Sequence, residues 1–298
     1  MSDQAAGLRV LADRKLGGPL RVVQASATSR VICVTSGKGG VGKTNIAANL
    51  GILLAQLGNR VLLLDADLGL ANLDMVLGIT PRWTLEHLVR GEIADIRDIV
   101  QDGPAGVKLI AGGSGIRELA NLPPAGLDRI LDGFLGLQTL GDLLIMDTGA
   151  GIQDSVLEFV QSSSEVIVVT TPEPPAMADA YAVVKVVAAG NTEARLSLVV
   201  NMCRSADEGL AVLDRLSLVA SQFLGVRLRG LGWIPRDERV PAAVRRREPF
   251  VLSAPQAPAA RNLAQIARSL SRSNSRTRNP SLGLAAAVER LRRAFGRS

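Results

Sequence analysis

The run Ser36-Gly37-Lys38-Gly39-Gly40-Val41-Gly42-Lys43-Thr44 contains the pattern G-x-x-x-x-G-K-[ST]. The chemistry of such a run is phosphate binding. Its glycines let the chain turn sharply enough for successive backbone N–H groups to face one polyphosphate, and a helix opening directly behind adds positive potential. Lys43 is placed to reach the β and γ phosphates, and Thr44 offers a hydroxyl to Mg²⁺. Carboxylates that orient water or a metal belong at the ends of strands. Asp65 and Asp67 close the apolar run VLLLDAD, and Asp147 closes DLLIMD. No N-K-x-D guanine signature occurs, which disfavours GTP.

Other chemistries lack their residues. With only Cys33, Cys203 and His87, a disulfide framework, an iron–sulfur carrier and a Cys-rich zinc site are all short of ligands. The two cysteines read as small buried hydrophobes, and His87, Trp83 and Trp233 as packing residues. The chain shows no secretory signal and no 18-residue apolar run, so a cytoplasmic location is expected.

The elements that must position the loop are legible as period and length. Apolar runs of strand length fall at 31–36, 61–67, 107–112, 142–147, 165–171 and 196–201, and helices are expected at about 43–58, 123–140, 152–162, 175–189 and 205–224, with shorter ones near 84–90 and 255–271. The strand runs are apolar almost throughout rather than alternating. That pattern belongs to an α/β fold, a doubly wound, mostly parallel sheet with helices on both faces. The phosphate loop then lies between the first core strand and the first core helix. The expected organisation is an arm and linker at 1–29, a body at 30–270, a polar linker at 271–281 and a terminal helix at 282–298.

Lysine is scarce, yet Lys38 and Lys43 share one loop. The stretch KGGVGKT, with a lysine directly after the first glycine, resembles the deviant Walker A motif of the MinD/ParA family of P-loop ATPases (SIMIBI class). The resemblance implies a nucleotide-sandwich homodimer in which Lys38 reaches the partner's phosphates. It makes Asp67, in DADLGLANLD, the residue that positions the attacking water, with Asp65 either a metal ligand or only a strand end. It makes Asp147, in DLLIMDTGAGI, the Mg²⁺ residue, acting through water. Asn201, Pro235, Arg236 and Asp237 match the loops around adenine, and Thr171-Pro172-Glu173-Pro174 a loop near the dimer face. The implied catalytic set is Lys38, Lys43 and Asp67.

Within that family, Asn45, TPRWTLEHLVRGE and the arm Asp3-Gln4-Ala5-Ala6-Gly7-Leu8-Arg9 resemble the flagellar-number regulators. By that resemblance Asp3, Gln4, Ala5, Leu8 and Arg9 stimulate the flagellar SRP-type GTPase FlhF, and a flagellar transcription regulator or C-ring component is a further candidate partner.

Net charge is +6, but its distribution is uneven: from Ala242 onward twelve arginines face Glu248 and Glu289, and the rest of the chain is net acidic. An anionic partner met by the C-terminal end is expected. On a helical wheel Leu284, Ala287, Val288, Leu291 and Phe295 share one side, while Arg290, Arg292, Arg293 and Arg297 occupy the other. Leu284, Val288, Leu291, Arg292 and Phe295 are therefore expected to lie on an anionic membrane surface, and the polar SRSNSRTRNP stretch argues for a tethered helix over a docked one. Three readings remain beside the flagellar one: a cell-division MinD, a ParA-type ATPase using the basic tail on nucleic acid, and a scaffold that binds ATP without useful turnover.

Overall fold

Eight strands form in the computed structural model: β1 (Arg30–Ser36), β2 (Val61–Ala66), β3 (Val100–Asp102), β4 (Lys108–Ile110), β5 (Leu143–Ala150), β6 (Glu165–Thr170), β7 (Arg195–Cys203) and β8 (Arg229–Pro235). The structure describes residues 30–67, 72–113, 124–191, 193–273 and 283–295. The strands make one sheet in the order β3-β4-β2-β5-β1-β6-β7-β8, parallel throughout except where β3 meets β4. The expected α/β class holds.

The reason the core strands do not alternate is visible in β1. Val31 and Cys33 pack on one face, Ile32 and Val34 on the other, and all four are fully buried. Helices α1 (Lys43–Gln56) and α10 (Pro258–Ser273) cover the Ile32 face. The Val31 face is covered by α4 (Pro124–Gly136), α5 (Asp154–Ser162), α6 (Pro174–Gly190) and α7 (Ala206–Leu224). β1 sits in the middle, and the chain crosses from β1 to β2 on one side and from β5 to β6 on the other. Loops leaving the carboxyl end of β1 therefore open into the crevice where such sheets bind ligands.

Several elements escape the periodicity. The edge strand β8 (RGLGWIP) holds two glycines and is mostly half-buried, with Arg229 and Gly230 exposed, so it lacks an apolar run. The helices α2 (Leu73–Leu77), α3 (Leu85–Val89), α8 (Arg239–Arg245) and α9 (Phe250–Ser253) are short, and all but α3 went unforeseen because they fall below the window in which a 3.6-residue period shows.

The terminal helix, α11 (Leu284–Phe295), corrects an expectation. It is not displayed on a tether: Leu284, Ala287, Val288, Leu291 and Phe295 are buried, and the helix lies against α4, α5 and β1. The Phe295 ring meets Phe159 of α5 edge-on, centroids 6.0 Å apart. Arg292, expected at a membrane, pairs instead with Asp128 and Asp132 of α4 at 2.8 and 2.7 Å. Arg290 donates to the Ser162 carbonyl at 3.2 Å, and Gly283 bridges Arg30 at the start of β1. The body thus does not end at 270, since α10 runs to Ser273 and α11 is part of the core. An apolar face suited to lipid is equally suited to a groove rimmed by aspartates, and linker composition does not choose between them. The arm residues Asp3, Gln4, Ala5, Leu8 and Arg9 lie outside the described residues.

Phe295→Ala is expected to lower folding stability by about 3–5 kcal/mol, as for a buried aromatic, in chemical denaturation; an undocked tail would show no change.

Candidate functional site

The carboxyl end of β1 turns at Gly37, runs through the glycine loop and enters α1 at Lys43. Two glycines are required by geometry. A Cβ on Gly37 would sit 2.3 Å from the backbone carbonyl of Asp179 in α6. Gly42 caps α1 in the left-handed region (φ 88°), and a Cβ there would meet the Asn201 amide nitrogen at 2.4 Å. The Ser36 hydroxyl donates to the Lys38 carbonyl at 3.0 Å, tightening the turn.

Beneath the loop stand two carboxylates. Asp65 of β2 and Asp147 of β5 are direct neighbours in the parallel register, and both are buried. Lys43 answers them: its Nζ donates to Asp147 Oδ1 at 2.7 Å, and both side chains are buried. Burial pushes the Asp147 carboxyl up from its ordinary value, and the Lys43 charge and the Thr44 hydroxyl pull against that. Asp65 is pushed up to about 7, first by burial and then by the Asp147 charge. Its oxygens accept the N–H groups of Asp67 (3.1 Å) and Leu73 (2.9 Å), so it shapes the loop after β2, and its alternative role as a metal ligand is not what this arrangement favours.

Asp67 emerges from that loop onto the cleft wall, with Gly149 opposite its Oδ1. The Gly151 N–H donates to the Ser36 carbonyl at 2.8 Å and so ties the loop after β5 to the root of the phosphate loop. Lys38 is on the rim, exposed, 3.3 Å from Glu173. One cleft of about 900 Å³ gathers Lys38, Gly39, Gly40, Gly42, Lys43 and Thr44 with Asn45, Asp67, Asn201, Pro235, Arg236 and Asp237. Gly37 and Val41 belong to the same loop but not to the cleft wall. Asn201, expected at the base, donates to the Val41 carbonyl at 2.8 Å and here braces the loop.

Among the lining residues not anticipated are Met75 of α2, Met202 and Arg245 of α8. Met202 takes φ 59°, a conformation that no feature of LSLVVNMC announces. Arg245 had a faint signal in the RRR run, which reads equally well as a solvated surface.

The residues fit Mg²⁺ alongside a nucleotide. Among the described residues no three His, Cys, Asp or Glu side chains converge into a metal cage. Mg²⁺ asks for less, since it keeps several waters, takes phosphate oxygens and needs only one or two protein ligands. Thr44 and Asp147 stand at the phosphate loop with side chains suited to that role.

Comparison with known proteins agrees with this geometry. Residues 32–250 match the family described as CobQ/CobB/MinD/ParA nucleotide binding domain. The chain is 40% identical to the antiactivator FleN of Pseudomonas aeruginosa over 239 residues, 80% of this chain and 85% of that protein. It is 36% identical to the flagellum site-determining protein YlxH of Helicobacter pylori over 269 residues, 90% of each. Among solved structures, septum site-determining MinD of Pyrococcus horikoshii complexed with Mg-ADP superposes with a TM-score of 0.68 at 26% identity, covering 82% of this chain and 97% of that one.

Two outcomes follow from the buried charges. Lys43→Ala should abolish ATP binding by calorimetry and cost about 3–5 kcal/mol of stability, because it strands a buried carboxylate; adding Asp147→Asn should return stability without returning binding. Between pH 4 and 7 native Asp65 holds a proton that the unfolded chain, with a carboxyl near 3.9, has released. Raising pH through that window therefore removes stability. In nucleotide-free protein Asp65→Asn should flatten the fall in denaturation midpoint across this range.

Proposed function

This chain belongs to the CobQ/CobB/MinD/ParA nucleotide-binding family, and on that footing we propose that it is an ATP-driven switch controlling flagellar number and placement. It is a MinD-like ATPase. What supports the switch is one cleft in which Asp67 and Lys38 flank the phosphate loop, with Lys38 held by an exposed pairing to Glu173 that a bound phosphate would replace.

The chemistry is electrostatic and positional. The loop N–H groups and the α1 N-terminus receive the phosphates. Lys43 now neutralises Asp147, and arriving phosphates compete for the same ammonium group, leaving the carboxylate to face the cation. Thr44 and, through water, Asp147 would hold Mg²⁺, which would supply charge neutralisation on the phosphates. Asp67 orients the attacking water. Lys38 exchanges Glu173 for the phosphates of a second copy, which makes the homodimer depend on ATP. Pro235, Arg236 and Asp237 wall the base, with Arg245 beside them.

The flagellar assignment draws on the similarity to FleN and YlxH over most of the chain. The proposed partner of the arm residues Asp3 to Arg9 is the flagellar SRP-type GTPase FlhF, with a flagellar transcription regulator or C-ring component downstream. No helix among the described residues is long and apolar enough to cross a membrane; the attachment we propose is peripheral, to an anionic membrane surface. It runs through Leu284, Val288, Leu291 and Phe295 and requires α11 to leave its groove. Two helices on one dimer then bind with avidity.

Asp67→Ala is expected to slow hydrolysis by about 10²-fold or more, keep ATP affinity and accumulate dimer in sedimentation with Mg·ATP. A monomer under saturating nucleotide contradicts the switch. Deleting residues 1–20 should leave ATP binding intact and remove stimulation of the GTPase; unchanged stimulation favours the cell-division role.

A further inference from the structure

At the opposite edge of the sheet from the nucleotide, among the amino ends of β6, β7 and β8 and the last turns of α6, α7 and α10, lies a second cleft of about 1160 Å³. Its charge is one-sided. Arg195, Arg227, Arg229, Arg268 and Arg272 line it against a single carboxylate, Glu165. That carboxylate is already committed, buried and paired with Arg30 and, at 3.1 Å, with Arg195. Arg227, Arg229, Arg268 and Arg272 keep surface exposure, and Asn191, Ser197 and Ser269 add polar side chains among them.

The fold collects these arginines from β7, from the turn before β8, from β8 and from α10, where Arg268 and Arg272 stand one helical turn apart. Like charges at that spacing repel. A concave site that concentrates guanidinium groups is matched by an anion with several oxygens, and phosphate fits the planar fork of arginine in pairs of hydrogen bonds. None of the lining residues is aromatic, so the stacking platforms that single-stranded nucleic acids use are missing.

We propose that this cleft is a phosphate site for the headgroups of anionic phospholipids, a second membrane contact beside α11. The proposal rests on the membrane reading given above. Its source is the position of the cleft relative to the residues that join α10 to α11. Arg272 lines the cleft one residue before α10 ends at Ser273, and Gly283 is bridged to Arg30 at the same sheet edge. Residues 274–282 span at most about 30–35 Å. Any surface that takes up α11 therefore lies within that distance of the arginines. Each arginine near an anionic leaflet raises affinity about fivefold.

The test uses the full chain with Mg·ATP and co-sedimentation on phosphatidylglycerol-containing vesicles, with phosphatidylcholine vesicles as the uncharged arm. The triple variant Arg227→Ala/Arg229→Ala/Arg268→Ala should bind the anionic vesicles at least about tenfold more weakly, while ATP affinity in solution reports an intact fold. The matching Arg→Lys triple should recover most of the loss, because charge is retained. Equal vesicle binding by wild type and the alanine triple overturns the cleft and leaves the membrane reading standing; no vesicle binding by wild type overturns both. Tight saturation of the cleft by inorganic phosphate that leaves vesicle binding unaffected assigns the site to a free anion and overturns the lipid source. A loss of duplex DNA binding in the triple, with vesicle binding kept, overturns it in favour of nucleic acid.

Discussion

The buried pair between Lys43 and Asp147 is the constraint on which the site depends. Two strands bring Asp65 and Asp147 side by side beneath the glycine loop, where neither carboxylate is well solvated. Packing alone cannot make that arrangement comfortable. It is tolerated because Lys43 extends from the first residue of α1 into the same space, while Asp65 is met by two backbone N–H groups. The phosphate-binding cation is thus also the internal counterion of the ligand-free protein. A nucleotide that captured it would leave a negative group needing a new partner, and in the proposed mechanism a divalent cation would satisfy that need.

The phosphate loop was legible because its residues are bound to their chemistry: glycine for a left-handed turn, lysine for phosphate, threonine for a cation. The core strands were legible for a related reason, since a strand buried on both faces has no polar positions to disguise it. Where one side of an element meets solvent or the cleft, the signal fades. β8 carries exposed residues and glycines, yet it delivers Pro235 to the site. Asn201 was correctly placed at the cleft, but its bond to the Val41 carbonyl depends on a through-space approach that no local pattern records. Arg245 sits in a run of arginines that looks like ordinary surface.

The terminal helix teaches the complementary lesson. Its amphipathic face was read correctly and its docking on the body was not, because a wheel describes a helix and not the surface that receives it. Two aspartates on α4 and the Phe159 ring on α5 decide the matter, and they lie far away in sequence. The basic C-terminal end from Ala242 likewise divides on folding. Part of it pairs with acids around α11, and part gathers at the edge of the sheet remote from the nucleotide.

The seat beneath α11 has a consequence of its own. Four large apolar side chains leave water when the helix docks, worth roughly 6–12 kcal/mol as an upper figure, and the trough they fill is itself lined with apolar residues of α4 and α5. Undocking would wet two greasy surfaces at once, and a bilayer could cover only the one that departs. The vacated trough would need an occupant too, which makes an undocked state stable only when something else takes the seat.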